Sequence, residues 1–326
     1  MKNYYHLPGL FEFYEFYKVF LPIFREHREY FYDWCDIGSI YGAPGDCLWG
    51  GGRVGFGDAD PVKVKSLMEA YNISMRLTFS NSMLRQEHLS DRKCNELCAM
   101  FEGRDTTATH DLQEAANGKM EAFEDSDAKK SGIIKKKNGI IIHSDLLIDY
   151  IKNKYPNYYY VSSTTKVLTD FEDLCKELDR EDFDYVVPDF RLNKEFDKLS
   201  SLTDDQKDKV EFLCNECCFF GCYDRKKCYE NVSLKCLGQK VEDHICVSPD
   251  KDKGYRFSDA MNNPGFIGID DIQNTYLPMG FSNFKIEGRS LGSAIILEFL
   301  LYYMTKPSYQ LKVREEIYLD SSLDLF

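Results

Sequence analysis

The chain has little positive charge. It carries 41 Lys and Arg against 54 Asp and Glu, a formal charge of −13 over 326 residues. Binding phosphate needs a basic footprint, so DNA is not an expected partner. The one dense basic run, Lys135 to Lys137, follows Lys129, Lys130 and the acidic stretch Glu121 to Asp127. That arrangement reads as a solvated, self-neutralising loop. Long hydrophobic runs are lacking as well: the longest, Ala294 to Met304, contains Glu298 and is too short to span a bilayer. The aromatic N-terminus (Phe11, Phe13, Tyr14, Phe16, Tyr17, Phe20) is interrupted by Glu12, Glu15 and Lys18 and has neither a basic start nor a cleavage site. An amphipathic helix is expected there in place of a secretory signal, and with it a cytoplasmic protein that needs no membrane. Neither a Rossmann fingerprint nor a Walker loop is present, and no internal repeat stands out.

Cysteine, by contrast, is plentiful. Seven of the twelve fall between Cys214 and Cys246. A reducing compartment makes a disulfide framework a poor explanation and a metal or catalytic role a better one. Cys35, Cys98 and Cys175 sit in apolar patterns, where a thiol acts as a small hydrophobe. The cluster instead has Asn215, Glu216, Asp224 and Arg225 as neighbours. Soft sulfur ligands select zinc, copper(I) or iron–sulfur clusters. Inert thiols and redox exchange are the competing readings, and the spacing matches no ferredoxin or zinc-finger signature.

Short β-branched and aromatic runs alternate with helical stretches. Strands are expected at 34–40, 73–81, 139–144, 158–164, 185–190, 210–215, 266–269 and 283–287. Helices are expected at 87–101, 145–154 (capped by Asp145), 170–179 and 290–305. Eight strands separated by helices predict an α/β fold, a (β/α)8 TIM-like barrel in a single domain over 1–326, with an open doubly wound sheet as the alternative. On this count the cysteine-rich loop (214–246) follows strand 6. A polar insertion (102–138) containing His110 precedes strand 3, away from the catalytic face.

Strand alternation then nominates a site. Phe284 and Ile286 share one face, and Lys285 and Glu287 the other, inside the barrel at its top. Charged groups at the C-terminal ends of barrel strands read as functional, against the simpler reading of an internal ion-pair network. Arg76, Asp189, Asn215 and Glu216 also lie near strand ends, and Arg53 follows the glycines Gly50 to Gly52. His143 ends a strand and is a weaker candidate base or ligand. Arg289 at the start of the final helix, with that helix's N–H groups, points to an anionic substrate.

The motif Lys285-Ile286-Glu287-Gly288-Arg289 resembles that of the collagenase-like TIM barrels of peptidase family U-32. Asn215-Glu216 followed by Cys218-x3-Cys222-x2-Arg225 is similar to the Asn-Glu…Cys…Cys…Arg loop of a cysteine-containing branch. The segments IYGAPGDCLWGGGR, MRLTFSN and GIIIHSDLLIDYIKNKYP extend the likeness from about Leu7 to Lys306. The resemblance implies either a peptidase-like hydrolase or an enzyme with a 4Fe–4S cluster, supporting oxygen-independent hydroxylation or a related modification of an anionic small-molecule or peptide substrate. It implies Cys218, Cys222 and Cys228 as ligands, with Cys246 fourth and Cys236 or Cys214 as substitutes. A structural zinc in a hydrolase and a non-catalytic binding barrel are the alternatives. Lys285, Glu287 and Arg289 would orient substrate or move protons.

Overall fold

The computed structural model describes residues 2–52, 58–102 and 136–323. Its centre is one parallel sheet of eight strands: β1 (Asn3–Pro8), β2 (Cys35–Gly42), β3 (Ser74–Phe79), β4 (Gly139–Ile142), β5 (Tyr159–Ser162), β6 (Tyr185–Val186), β7 (Glu211–Leu213) and β8 (Asn283–Lys285). The order β6-β5-β4-β3-β2-β1-β8-β7 is closed by a single parallel bridge, Val186 to Val210. The fold is the expected (β/α)8 barrel.

Helices cover it outside. They are α1 (Tyr14–Glu26), α2 (Pro61–Ala70), α3 (Arg92–Phe101), α4 (Asp145–Lys154), α5 (Phe171–Leu178), α6 (Phe196–Ser200), α7 (Asp204–Lys209), α8 (Arg225–Cys236), α9 (Phe257–Ala260), α10 (Ile269–Asp271), α11 (Ser293–Tyr303) and α12 (Gln310–Leu323). Among the described residues no helix is long and apolar enough to cross a membrane. Several helices start on a side-chain cap. Asp60 accepts from Val62 N–H, Asp91 from Cys94 N–H, and Asp170 from Glu172 N–H, each at 2.8 Å. Such caps contribute roughly 1 kcal/mol each. Ser144, not Asp145, caps α4, accepting from Leu147 N–H, and Asp145 becomes the first helical residue.

Two strand assignments change. β1 was not expected: its inward positions carry Tyr4 and His6, and Asn3 on the other face is also a buried polar residue, so NYYHLP lacks an apolar signature. The run at 266–269 is not a strand. Ile267 N–H donates to the Cys214 carbonyl at 2.9 Å, and the chain then enters α10. The cysteine-rich loop therefore follows strand 7, and the polar insertion precedes strand 4. Residues 103–135 of that insertion, His110 among them, lie outside the described residues, as does Arg53.

Alternation divides the core in two. Tyr5, Leu7, Ile37, Leu77, Phe79, Ile140, Phe212, Phe284 and Ile286 point outward and join the helices in the main core. Tyr41, Ile141, Val161, Val187 and Leu213 form a separate apolar layer inside the barrel.

Candidate active site

Polar groups thread this interior beside the apolar layer. Lys285 pairs in register with His6 of β1 and Leu213 of β7, which puts it within reach of Glu211. Lys285 Nζ lies 3.3 Å from Glu211 Oε1 and 4.1 Å from the Tyr41 ring centroid. The other Glu211 oxygen accepts from Arg76 Nη1 and lies 3.5 Å from His6 Nε2. Arg76 Nε donates to the Tyr159 hydroxyl at 2.8 Å, and its guanidinium stands 4.6 Å from the Tyr185 ring centroid. His6 Nδ1 meets Ser39 Oγ at 2.8 Å, while Nε2 faces Asn283 Oδ1 at 3.3 Å.

Burial sets the charges. It pushes Lys285 down to about 8; Glu211 opposes the fall and Arg76 adds to it. His6 falls to about 3 through burial and then Arg76. Its imidazole is thus neutral, and its contact with Glu211 is not an ion pair. Burial also opposes ionisation of Glu211, but Arg76 foremost holds it well below the ordinary carboxylate range. One carboxylate therefore serves two buried cations, and a buried charge is tolerated only when paired.

Above this network the C-terminal ends of the strands surround a void of about 20 Å3, lined by Tyr41, Thr78, Ser80, Lys285, Glu287 and Arg289 among others. That is room for about one water. Thr78 Oγ1 faces it, buried, with no hydrogen-bond partner among the described residues. Asn215 fixes Glu287. Its Oδ1 accepts from Glu287 N–H at 2.7 Å and its Nδ2 donates to the Glu287 carbonyl at 2.9 Å. One side chain thus imitates a strand partner beyond the end of β8. Asn215 positions the carboxylate and does not itself line the void. Arg289 lies in the loop before α11. The start of α11 is elsewhere: Gly292 and Ser293 border a cavity shared with Glu12 and Asp58, so its N–H groups do not serve the mouth.

The cysteine loop is built around Arg225, 3% exposed, at the start of α8. Its Nη2 donates to Glu216 Oε2, its Nη1 to Asp189 Oδ2 at 3.2 Å, and its Nε to the Tyr229 hydroxyl at 2.9 Å. Asp189 also accepts from Arg191 Nη1 at 2.7 Å, and Arg191 holds the Phe220 and Cys222 carbonyls. Asp189 and Glu216, expected to bind substrate, are thus engaged in pinning the loop. Arg76, also expected there, lies below the mouth against Glu211.

The four nominated thiols do not assemble. Cys218 and Cys246 line an open cavity of about 590 Å3 with Tyr255. Cys222 is buried, and Cys228 occupies the first turn of α8. Among the described residues no three His, Cys, Asp or Glu side chains come together to hold a metal ion. Burial and then Glu216 push the Cys218 thiol up to about 12. As placed among the described residues, these thiols do not form a ligand set for a 4Fe–4S cluster or zinc. His143 is likewise occupied: its Nδ1 meets Thr165 Oγ1 at 2.8 Å, and burial lowers it to about 4.

Sequence reasoning missed His6, Glu211 and Tyr41. Glu211 carried a legible signal, standing two residues before inward Leu213 in an apolar strand, whereas His6 was hidden with β1. Fold and site together define a parallel (β/α)8 barrel with a charged interior and a lysine–carboxylate–arginine mouth. No family model and no curated protein matches the chain. Among solved structures, the U32 peptidase Mk0906 is similar at 11% identity and a TM-score of 0.46, covering 88% of this chain and 94% of that one.

Proposed function

We propose that the protein is an enzyme acting at the barrel mouth on a small substrate with a carboxylate or other anionic group. Lys285 transfers a proton, Glu287 is the second acid–base group, and Arg289 anchors the anion. The observation that carries this reading is the state of Lys285. A lysine brought down to about 8 can give and take a proton near neutral pH, which an ordinary lysine cannot. The 20 Å3 void admits the reacting group of a substrate in place of a water. The remainder would lie over the rim toward the cysteine-loop cavity, because burial and then Glu287 itself raise the thiol of Cys217, which lines that cavity. Hydrolysis and modification of such a substrate both remain within this reading, and no step is routed through a metal.

The test is a binding screen of small carboxylates and phosphates against the whole chain. At least one should bind saturably, and Arg289→Met should weaken it about tenfold, the loss of roughly one charge-assisted contact, while Glu287→Gln, which removes a like charge, should not weaken it and melting temperature holds. Binding that survives Arg289→Met, or a panel without a single ligand, rejects the reading in favour of a structural ion network.

A further inference from the structure

The opposite end of the barrel is also hollow. Most barrel floors are filled by side chains, but here the N-terminal strand ends border an open cavity of about 350 Å3. Two features of the chain create it. Gly38 and Ser74 put no bulk at the floor, and Gly38 is required: a Cβ there would come within 2.6 Å of His6 Cε1. The His6 ring can lie against the β2 backbone only because of this.

The lining has a definite chemistry. Tyr4, Tyr159 and Tyr185 supply ring surfaces, and Arg76, Lys136 and Lys137 supply positive charge. Asp184 is the one carboxylate among the lining residues, and its Oδ2 accepts from Tyr160 N–H at 3.2 Å. Lys136 Nζ donates to the Ile37 carbonyl at 3.2 Å, a neutral partner, and makes no ion pair among the described residues. Arg76 spends Nε on Tyr159 and Nη1 on Glu211, two of its five donors. The lining thus holds two exposed lysines against one acid, with Arg76, already paired to Glu211, beneath them and aromatic faces around. The volume falls within the range of small-molecule sites.

We propose that this floor cavity is a second binding site, taking a small aromatic carboxylate whose ring packs on the tyrosines and whose anion faces Lys136, Lys137 and Arg76. The site is separate from the mouth, with the Glu211 layer between them, so it stands or falls independently of the reaction proposed there.

The probe is benzoate, titrated calorimetrically into the full chain, with benzamide as its neutral isostere. Saturable benzoate binding is expected, with benzamide far weaker. Lys136→Gln/Lys137→Gln, changed at two exposed positions, should weaken benzoate about tenfold, while Arg289→Gln at the mouth should leave it unchanged. The proposal is overturned by no saturable binding up to about 10 mM, by equal binding of benzamide, by binding indifferent to the lysine changes, or by a loss in Arg289→Gln that matches theirs.

Discussion

Replacing Glu211 with Gln keeps the shape of the side chain and removes the one carboxylate shared by Arg76 and Lys285. Breaking a buried pair by deleting one partner typically costs about 3–5 kcal/mol, because the other charge stays buried alone. Lys285 gives a second handle. Its fall from 10.5 to about 8 corresponds to roughly 3 kcal/mol at 1.36 kcal/mol per unit, the excess of its burial cost over what its neighbours return. In the native protein, the unfolded chain holds this proton up to pH 10.5 and the folded chain releases it near 8, so stability should rise across that window. In Glu211→Gln, Lys285 loses its carboxylate and titrates lower still, so the rise begins at a lower pH. The variant's deficit should therefore be largest near pH 6 and narrow as the pH rises. Urea denaturation at pH 6, 8 and 9.5 reads this directly. A deficit below about 1 kcal/mol at pH 6, the size of an ordinary hydrogen-bond change, or one that does not narrow, would refute the claim that Glu211 compensates two buried cations.

Other outcomes follow from single contacts. His6 is neutral down to about 3 in the fold but takes a proton near 6.5 when unfolded, so it makes stability fall as pH drops from 6.5 toward 3; His6→Gln should flatten this acid limb in a denaturant series. Asn215→Ala removes both bonds to the Glu287 backbone; about 1–3 kcal/mol should be lost on chemical unfolding, and any ligand held at the mouth should bind more weakly. Gly288→Ala puts a Cβ against Ile296 Cδ1 and within 2.9 Å of Pro8 Cγ; an overpacking loss of about 1–3 kcal/mol should appear as a lowered melting temperature. Arg225→Met removes the buried cation that Asp189 and Glu216 share, leaving Asp189 to Arg191 and Glu216 to the Cys218 N–H; a loss of several kcal/mol is expected, with the cysteine loop becoming susceptible to limited proteolysis before the barrel does.

Much of the barrel was legible in the sequence because its outward strand positions are so consistently apolar. Phe284 and Ile286 revealed, by alternation alone, that Lys285 and Glu287 turn inward, and the structure places both there. What escaped was set by contacts between distant segments. His6 is polar because Ser39 and Asn283 wait for it across two strands, and no local pattern announces that. Asp189 and Glu216 looked available for a substrate until folding brought Arg225 between them. The cysteines cluster in sequence, but α8 carries Cys228 away in a helical turn while Cys246 stays with the open cavity. Proximity along the chain was a poor guide to proximity in space.

The closure of the ring is its weakest joint. Strands β1 and β2 share six paired residues, while β6 and β7 meet at the single bridge of Val186 with Val210. Backbone hydrogen bonds hold the other seams in ladders, so thermal breathing should begin at this one. Parting β6 from β7 would bare Val187 and Leu213 of the inner layer and open a way to Glu211 from the side. When so light a seam parts, solvent would reach the interior from the side, and the protons that set its charge would need to pass through neither end.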